Sequence, residues 1–212
     1  MSGIMLSFFG GGGGLPVIGS AYAGGFFAGQ IGVAGVPTHN LVIGSKSAAQ
    51  TILAWKNANT ATVGADSDID GPQNTADMVA AGNSTVYPAA HFCNNLSTGG
   101  QTDWYMPAKN ELEVCYFNLK PDTTSNNTGG SGVNANAIPA RASGYTSGTP
   151  AQTSAADFQV TTGAEAFSLS YYWSSTEFSA TYGTMQTFIE GTQVGYGKTS
   201  SYRVRAIRRV AV

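Results

Sequence analysis

The sequence predicts an α+β fold with mostly antiparallel pairing. Short runs rich in β-branched and aromatic residues occupy both ends of the chain, two helix-patterned segments lie between them, and a coil-rich stretch separates those helices from the last strands. Of the 212 residues 42% are hydrophobic and 10% charged, with 28 glycines, so neither charge-driven disorder nor a membrane-spanning chain fits and one or two domains are expected. With 10 Lys and Arg against 12 Asp and Glu the formal charge is −2, which offers no electrostatic case for nucleic acid or anionic lipid. Every apolar run is interrupted before the roughly 18–20 residues a spanning helix needs.

Residues 1–23 read as a Gly-rich arm. An apolar start, the glycines Gly10 to Gly14 and the Ala21-Tyr22-Ala23 triplet together outline a signal peptide. No Lys or Arg precedes Lys46, however, and the glycines break the apolar stretch, so an arm that contacts a neighbouring subunit is the preferred reading. Residues 24–56 form a strand-rich leader with strands over 26–31, 40–45 and 51–55. The remaining residues, 57–212, make the main domain. Turn residues and charge dominate 57–82, and 85–96 reads as a helix with Pro88 near its first turn. The clearest helix covers 106–119, where Leu112, Cys115, Tyr116 and Leu119 repeat at helical spacing, Pro107 starts it and Pro121 stops it. Glu111 and Glu113 suit the positive end of its dipole. The segment 122–153, almost all Thr, Ser, Asn, Gly, Pro and Ala, reads as a long surface loop. A weaker helical turn covers 155–167, followed by strands over 171–176, 184–189, 193–196 and 202–210, with Gly191, Gly195 and Gly197 as turn residues.

Catalytic and metal patterns are sparse. Only His39 and His91 could serve as bases, and neither accompanies a G-x-S-x-G elbow; the phosphate-cradling loop is also absent. His91 reads as a helix-face histidine. Cys93 and Cys115 with two histidines are too few and too scattered for structural zinc; they read as buried small hydrophobes, with a single disulfide left open. Asp66, Asp68, Asp70, Gly71 and Asp77 match positions of a Ca²⁺ loop, with Asp in place of the usual final Glu. No helix pattern precedes Asp66, Pro72 follows the glycine, and Asp77 is equally explained as an N3 acid in a helix capped by Asn74, so a capped acidic turn is favoured over Ca²⁺. Lys198, Arg203, Arg205, Arg208 and Arg209 crowd the end of the chain and read as a half-buried strand with local ion pairs rather than a nucleic-acid patch.

Two segments carry a family resemblance: 103–112 (DWYMPAKNEL), and 171–177 (YYWSSTE) running on to 204–209 (VRAIRR). In this order they resemble phage virion proteins with a C-type-lectin-like domain, such as tail-fibre adhesins and the variable target proteins of diversity-generating retroelements. The resemblance covers Asp70 to Val212. It implies two helices on a twisted antiparallel sheet, with Trp104 and Trp173 in the core and a ligand face beyond Trp173. The implied ligand residues are Tyr182, Met185, Thr187, Ile189, Glu190, Thr192, Val194, Tyr196 and Thr199. Neither the Glu-Pro-Asn sugar loop of C-type lectins nor a late cysteine pair of the formylglycine-generating type occurs, so neither chemistry carries over. The expectation is a non-enzymatic virion protein, a tail-fibre or surface-fibre component, homo-oligomeric with a trimer as the suggested form. It would contact other virion subunits and a host-surface glycan or protein. A capsid-decoration or tail-assembly role is the alternative.

Overall fold

The computed structural model describes residues 14–212; the first part of the Gly-rich arm, residues 1–13, lies outside the described residues. Leading strands β1 (Ala21–Tyr22), β2 (Gly25–Val33) and β3 (Val36–Ile43) are followed by a one-turn helix α1 (Lys46–Ala49) and strand β4 (Gln50–Ala54). Helices α2 (Gly71–Ala81), α3 (Pro88–Asn94) and α4 (Lys109–Leu119) come next, then β5 (Ala137–Ile138) and a single 3₁₀ turn at Ala156–Phe158. Five strands close the chain: β6 (Tyr171–Glu177), β7 (Tyr182–Thr187), β8 (Gln193–Gly197), β9 (Ser201–Arg205) and β10 (Ile207–Ala211). This is the expected α+β class.

The strands form two sheets. Sheet A runs β1-β2-β3-β10, with β5 added to β2; sheet B runs β4-β9-β6-β7-β8. Pairing is antiparallel except between β6 and β9. The region 202–210, expected as one strand, is two. Ala206 is fully buried between β9 and β10, accepts from Gly44 N–H at 3.0 Å and donates to Ala49 C=O at 2.9 Å, so the chain steps from one sheet to the other there. Residues 24–56 supply strands to both sheets. The β2–β3 hairpin turns through Ala34 and Gly35, with φ of 50° and 78°, the pair of positive angles a tight type I′ connection requires.

Helix α2 starts earlier than the Asn74-capped helix offered around Asp77. Pro72 does not end a turn here but occupies the first turn of the helix, where its missing N–H costs nothing. The cap is Asp70, not Asn74: its carboxylate accepts from Gln73 N–H at 3.3 Å. Asn74 is fully buried instead, donating to Ser67 C=O at 2.7 Å and Ser175 Oγ at 3.2 Å. Gly71 is required by close approach, since a Cβ there would meet Glu111 Oε2 at 2.3 Å.

Two apolar clusters hold the layers together. Leu41, Ile43, Leu112, Tyr116, Phe167 and Phe188 belong to the first; Trp55, Met78, Trp104, Trp173, Met185 and Val204 belong to the second. The expected core roles of Trp104 and Trp173 hold. Cys115 sits in the first cluster and Cys93 in the second, both unpaired and buried, which closes the disulfide option. Burial pushes the Cys115 thiol up to about 12, so it is a protonated packing group rather than a nucleophile.

The insertion 122–153 departs from a free surface loop. It is too polar to fold alone, and it is ordered by amide side chains and one buried carboxylate. Asn126 donates to Thr146, Ser147 and Pro150 carbonyls and accepts from Tyr116 Oη at 2.7 Å. Glu113, fully buried, accepts from Tyr145 Oη at 2.7 Å and Asn134 Nδ2 at 2.6 Å and pairs with Arg141. Glu113 is therefore the anchor of the insertion and not an exposed acid of the first turn.

Candidate ligand-binding face

The C-terminal sheet presents its aromatic residues by register. Trp173 lies opposite Met185 and Tyr171 opposite Thr187, while Tyr196 lies opposite Gly183. Opposed residues of an antiparallel pair share a face, so Tyr171, Trp173 and Tyr196 project from one side of sheet B. Tyr202 of β9 joins them at the centre: its ring centroid is 5.2 Å from Tyr171, 5.1 Å from Trp173 and 5.2 Å from Tyr196. Trp173 is fully buried and donates to Leu53 C=O at 3.1 Å, forming the floor. Tyr171 and Tyr196 are 39% and 46% exposed, which leaves an aromatic surface carrying hydroxyls and no formal charge. Burial and then the neighbouring Tyr196 hydroxyl push the Tyr202 phenol up to about 12, so it is a neutral donor at physiological pH.

The expected ligand residues divide into three groups. Tyr182, Val194, Tyr196 and Thr199 are exposed as expected. Ile189, Glu190 and Thr192 are half-buried in the β7–β8 turn, where Thr192 Oγ1 donates to Glu190 at 3.0 Å. Met185 and Thr187 are corrections. Met185 retains only 4% exposure in the Trp173 cluster, and Thr187, at 3%, uses its hydroxyl to accept from Ile189 N–H at 3.1 Å. The physical reason is position in the sheet: β7 has β6 on one side and β8 on the other, and both of its faces are covered along these residues. Tyr171, Tyr202 and the 62%-exposed Phe178 were not among the expected contacts. A period-2 reading that continued from Trp173 to Tyr171, and across to Tyr202, would have placed the first two.

The turn behind β8 is fixed by a buried cation. Lys198 donates to Thr60 C=O at 2.8 Å and Ala180 C=O at 2.9 Å and pairs with Glu177, with its ammonium 4.9 Å from the Trp55 ring centroid. Burial lowers the Lys198 pKa, and Glu177 acts in the opposite direction. Of the other terminal cations, Arg205 pairs with Glu165, Arg208 with Asp103, and Arg209 with Glu111. These three pairs lie within the chain, as the local-pairing reading expects, whereas Arg203, expected to pair likewise, forms no ion pair among the described residues and its buried Nε has no hydrogen-bond partner.

The Ca²⁺-loop pattern does not assemble. Asp68 pairs with Lys109 at 3.0 Å, Asp70 caps α2 and lies 3.6 Å from Arg209, and Asp77 accepts from Gln73 Nε2 at 2.9 Å. Asp66 is exposed and lines the same concavity as Asp68 and Lys109. Asp77 lies within α2, where Gln73 one turn earlier satisfies its carboxylate. Among the described residues no group of three or more His, Cys, Asp or Glu side chains is placed to hold a metal. Millimolar Ca²⁺ is expected to leave the melting temperature unchanged in differential scanning fluorimetry; a rise of several degrees would restore the loop as a site.

His91 Nε2 lies 2.6 Å from Gly82 C=O, and His39, its pKa lowered by burial and then by Arg209, contacts Thr38 Oγ1 at 3.0 Å. No described helix is long and apolar enough to cross a membrane.

A family model described as the Lcl C-terminal domain matches residues 47–208, which contain all of sheet B and most of the aromatic surface's supports. No curated protein matches the chain. With the two sheets and few helices, the match establishes a C-type-lectin-like fold and a ligand- or receptor-binding, adhesin-type domain.

Proposed function

The chain belongs to the Lcl C-terminal domain family, and from that premise we propose that it is a phage virion component, a tail-fibre or surface-fibre protein that attaches to a host-surface receptor without transforming it. The observation that carries this reading is the uncharged aromatic surface of Tyr171, Tyr196 and Tyr202 on a floor of Trp173. Rigid tyrosines give contact area at small entropic cost, and their hydroxyls supply adaptable hydrogen bonds to a glycan or a protein. Homo-oligomeric assembly, as in a trimer, and residence in the virion go with this function. The pairing of Arg205, Arg208 and Arg209 within the chain supports a partner other than nucleic acid.

Replacing Tyr171 and Tyr196 together by Ala is expected to reduce adsorption to host cells by about tenfold or more, because exposed aromatic anchors dominate such interfaces. The melting temperature should move little, since both side chains are surface-exposed. Normal adsorption by a folded double variant would sink the reading. A capsid-decoration or tail-assembly role is the second possibility, favoured by the exposed Val33 and Val36 at the tip of the β2–β3 hairpin, an apolar point suited to a neighbouring subunit. Locating the subunit in reconstructed particles separates the two: burial of the tyrosine surface between subunits supports the structural role.

A further inference from the structure

Strand β8 is the last strand of sheet B, and its outer margin lacks the usual guards of a sheet edge. The sequence Gln193-Val194-Gly195-Tyr196-Gly197 contains neither a charge nor a proline. Thr187 N–H donates to Thr192 C=O at 3.0 Å and Lys198 N–H to Thr181 C=O at 3.3 Å, so Val194 and Tyr196, in step with these residues, turn their backbone groups toward β7. Gln193, Gly195 and Gly197 turn theirs outward. Ser131 Oγ holds Gln193 N–H at 2.9 Å and Ser200 N–H holds Gly197 C=O at 3.0 Å, which closes the two ends of this margin. Between them Gly195 N–H and C=O and Gly197 N–H meet no protein partner among the described residues.

The flanks of this opening are aromatic. Tyr182 lies opposite Gly197 and Tyr196 opposite Gly183, so the two rings rise on opposite faces of the sheet, and a trough of about 460 Å³ runs along the edge between them at Gly195 and Gly197, with the Phe178 ring packed on the Tyr182 face of Gly195. Gly197 is demanded neither by a left-handed backbone nor by crowding, since a Cβ there would meet nothing closer than 3.8 Å. Its effect is to leave the flank of Tyr182 bare. The open backbone groups recur every second residue, the repeat of another extended polypeptide and not of a sugar chain.

We propose, resting on the receptor-binding reading above, that β8 is a strand-addition site where an extended, uncharged polypeptide segment of the receptor pairs with Gly195 and sets alternate side chains against Tyr182 and Tyr196.

Linear peptides of about ten residues, selected from a random bead-displayed library against the full chain, provide the probe. N-methylation of one alternating set of amides in a selected peptide is expected to weaken binding about tenfold, while the other set leaves it unchanged. Binding should also slow hydrogen exchange at the Gly195 and Gly197 amides. Gly197→Pro, which an edge strand tolerates, should weaken the same peptide by several-fold. Equal loss from both N-methyl sets, unslowed exchange at the two amides, or failure to select any peptide overturns strand addition. A dimer of the chain alone that Gly197→Pro abolishes overturns it in favour of a second copy. The two readings fail separately. If the Tyr171 and Tyr196 double variant adsorbs poorly while adsorption survives protease treatment of the host and not periodate, the receptor is a glycan and only strand addition falls. If that double variant adsorbs normally, it is the receptor-binding reading that falls.

Discussion

Trp173→Ala is expected to destabilise the chain by about 3–5 kcal/mol, the usual range for deleting a large buried aromatic. The indole is fully buried, is bonded to Leu53 C=O and lies across the ladder from Met185. Removing it opens a cavity beneath Tyr202 at the centre of the sheet, where β9 and β7 flank β6 and cannot both collapse into the space. Trp173→Phe keeps most of the area and loses only the indole hydrogen bond, so its cost should be smaller, about 1–2 kcal/mol. Urea unfolding followed by tryptophan-independent circular dichroism measures both. A Trp173→Ala variant with an unchanged midpoint would show that the floor of the aromatic surface bears no weight.

Arg205→Ala should be of similar size, about 3–5 kcal/mol, because it breaks a buried ion pair and leaves the partner charge uncompensated. Arg205 is 1% exposed; its Nε donates to Gly44 C=O at 2.9 Å, and its two terminal nitrogens reach Glu165, backbone and carboxylate, each at 2.6 Å. The guanidinium also lies 5.0 Å from the Phe167 ring and 5.6 Å from Phe158. Burial lowers its pKa to about 10, with Glu165 opposing, so the group remains charged at neutral pH. Arg205→Ala together with Glu165→Ala should cost less than the sum of the single changes, since each single variant strands the other charge. Additive costs in a double-mutant cycle would mean that the pair does not couple β9 to the 155–167 segment.

The parts of the fold that were legible in sequence are those with a clean period. Helix α4 shows helical spacing, α3 has proline at its start, and the strands at both ends are bounded by glycine. Helix α2 was legible only in part, with its start misplaced, because its inward residues include Asn74 and Thr75, held by hydrogen bonds to Ser67 and Met106, and not by an apolar stripe. Pro72 then looked like a loop signal when it is a helix start. At the candidate site, alternation along β7 separates the two faces of a strand but cannot say which face is covered, and in a five-stranded sheet packed on both sides neither need be open. Met185 and Thr187 fell on the wrong side of that ambiguity. Tyr171 and Tyr202 fell on it in the opposite sense, as aromatic residues of which the sheet leaves Tyr171 exposed and Tyr202 half-buried.

The crossing at Ala206 also bears on how the chain acquires its shape. Through β9 and β10 one continuous segment completes both sheets, pairing with β4 and β3 from the opposite end of the described chain. Closing so wide a loop must precede any reward from those contacts, which places this topology among slow folders with a high barrier. The same barrier opposes the reverse reaction to the extent that these pairings are still formed at its summit, so persistence under harsh conditions would be set by kinetics as much as by equilibrium.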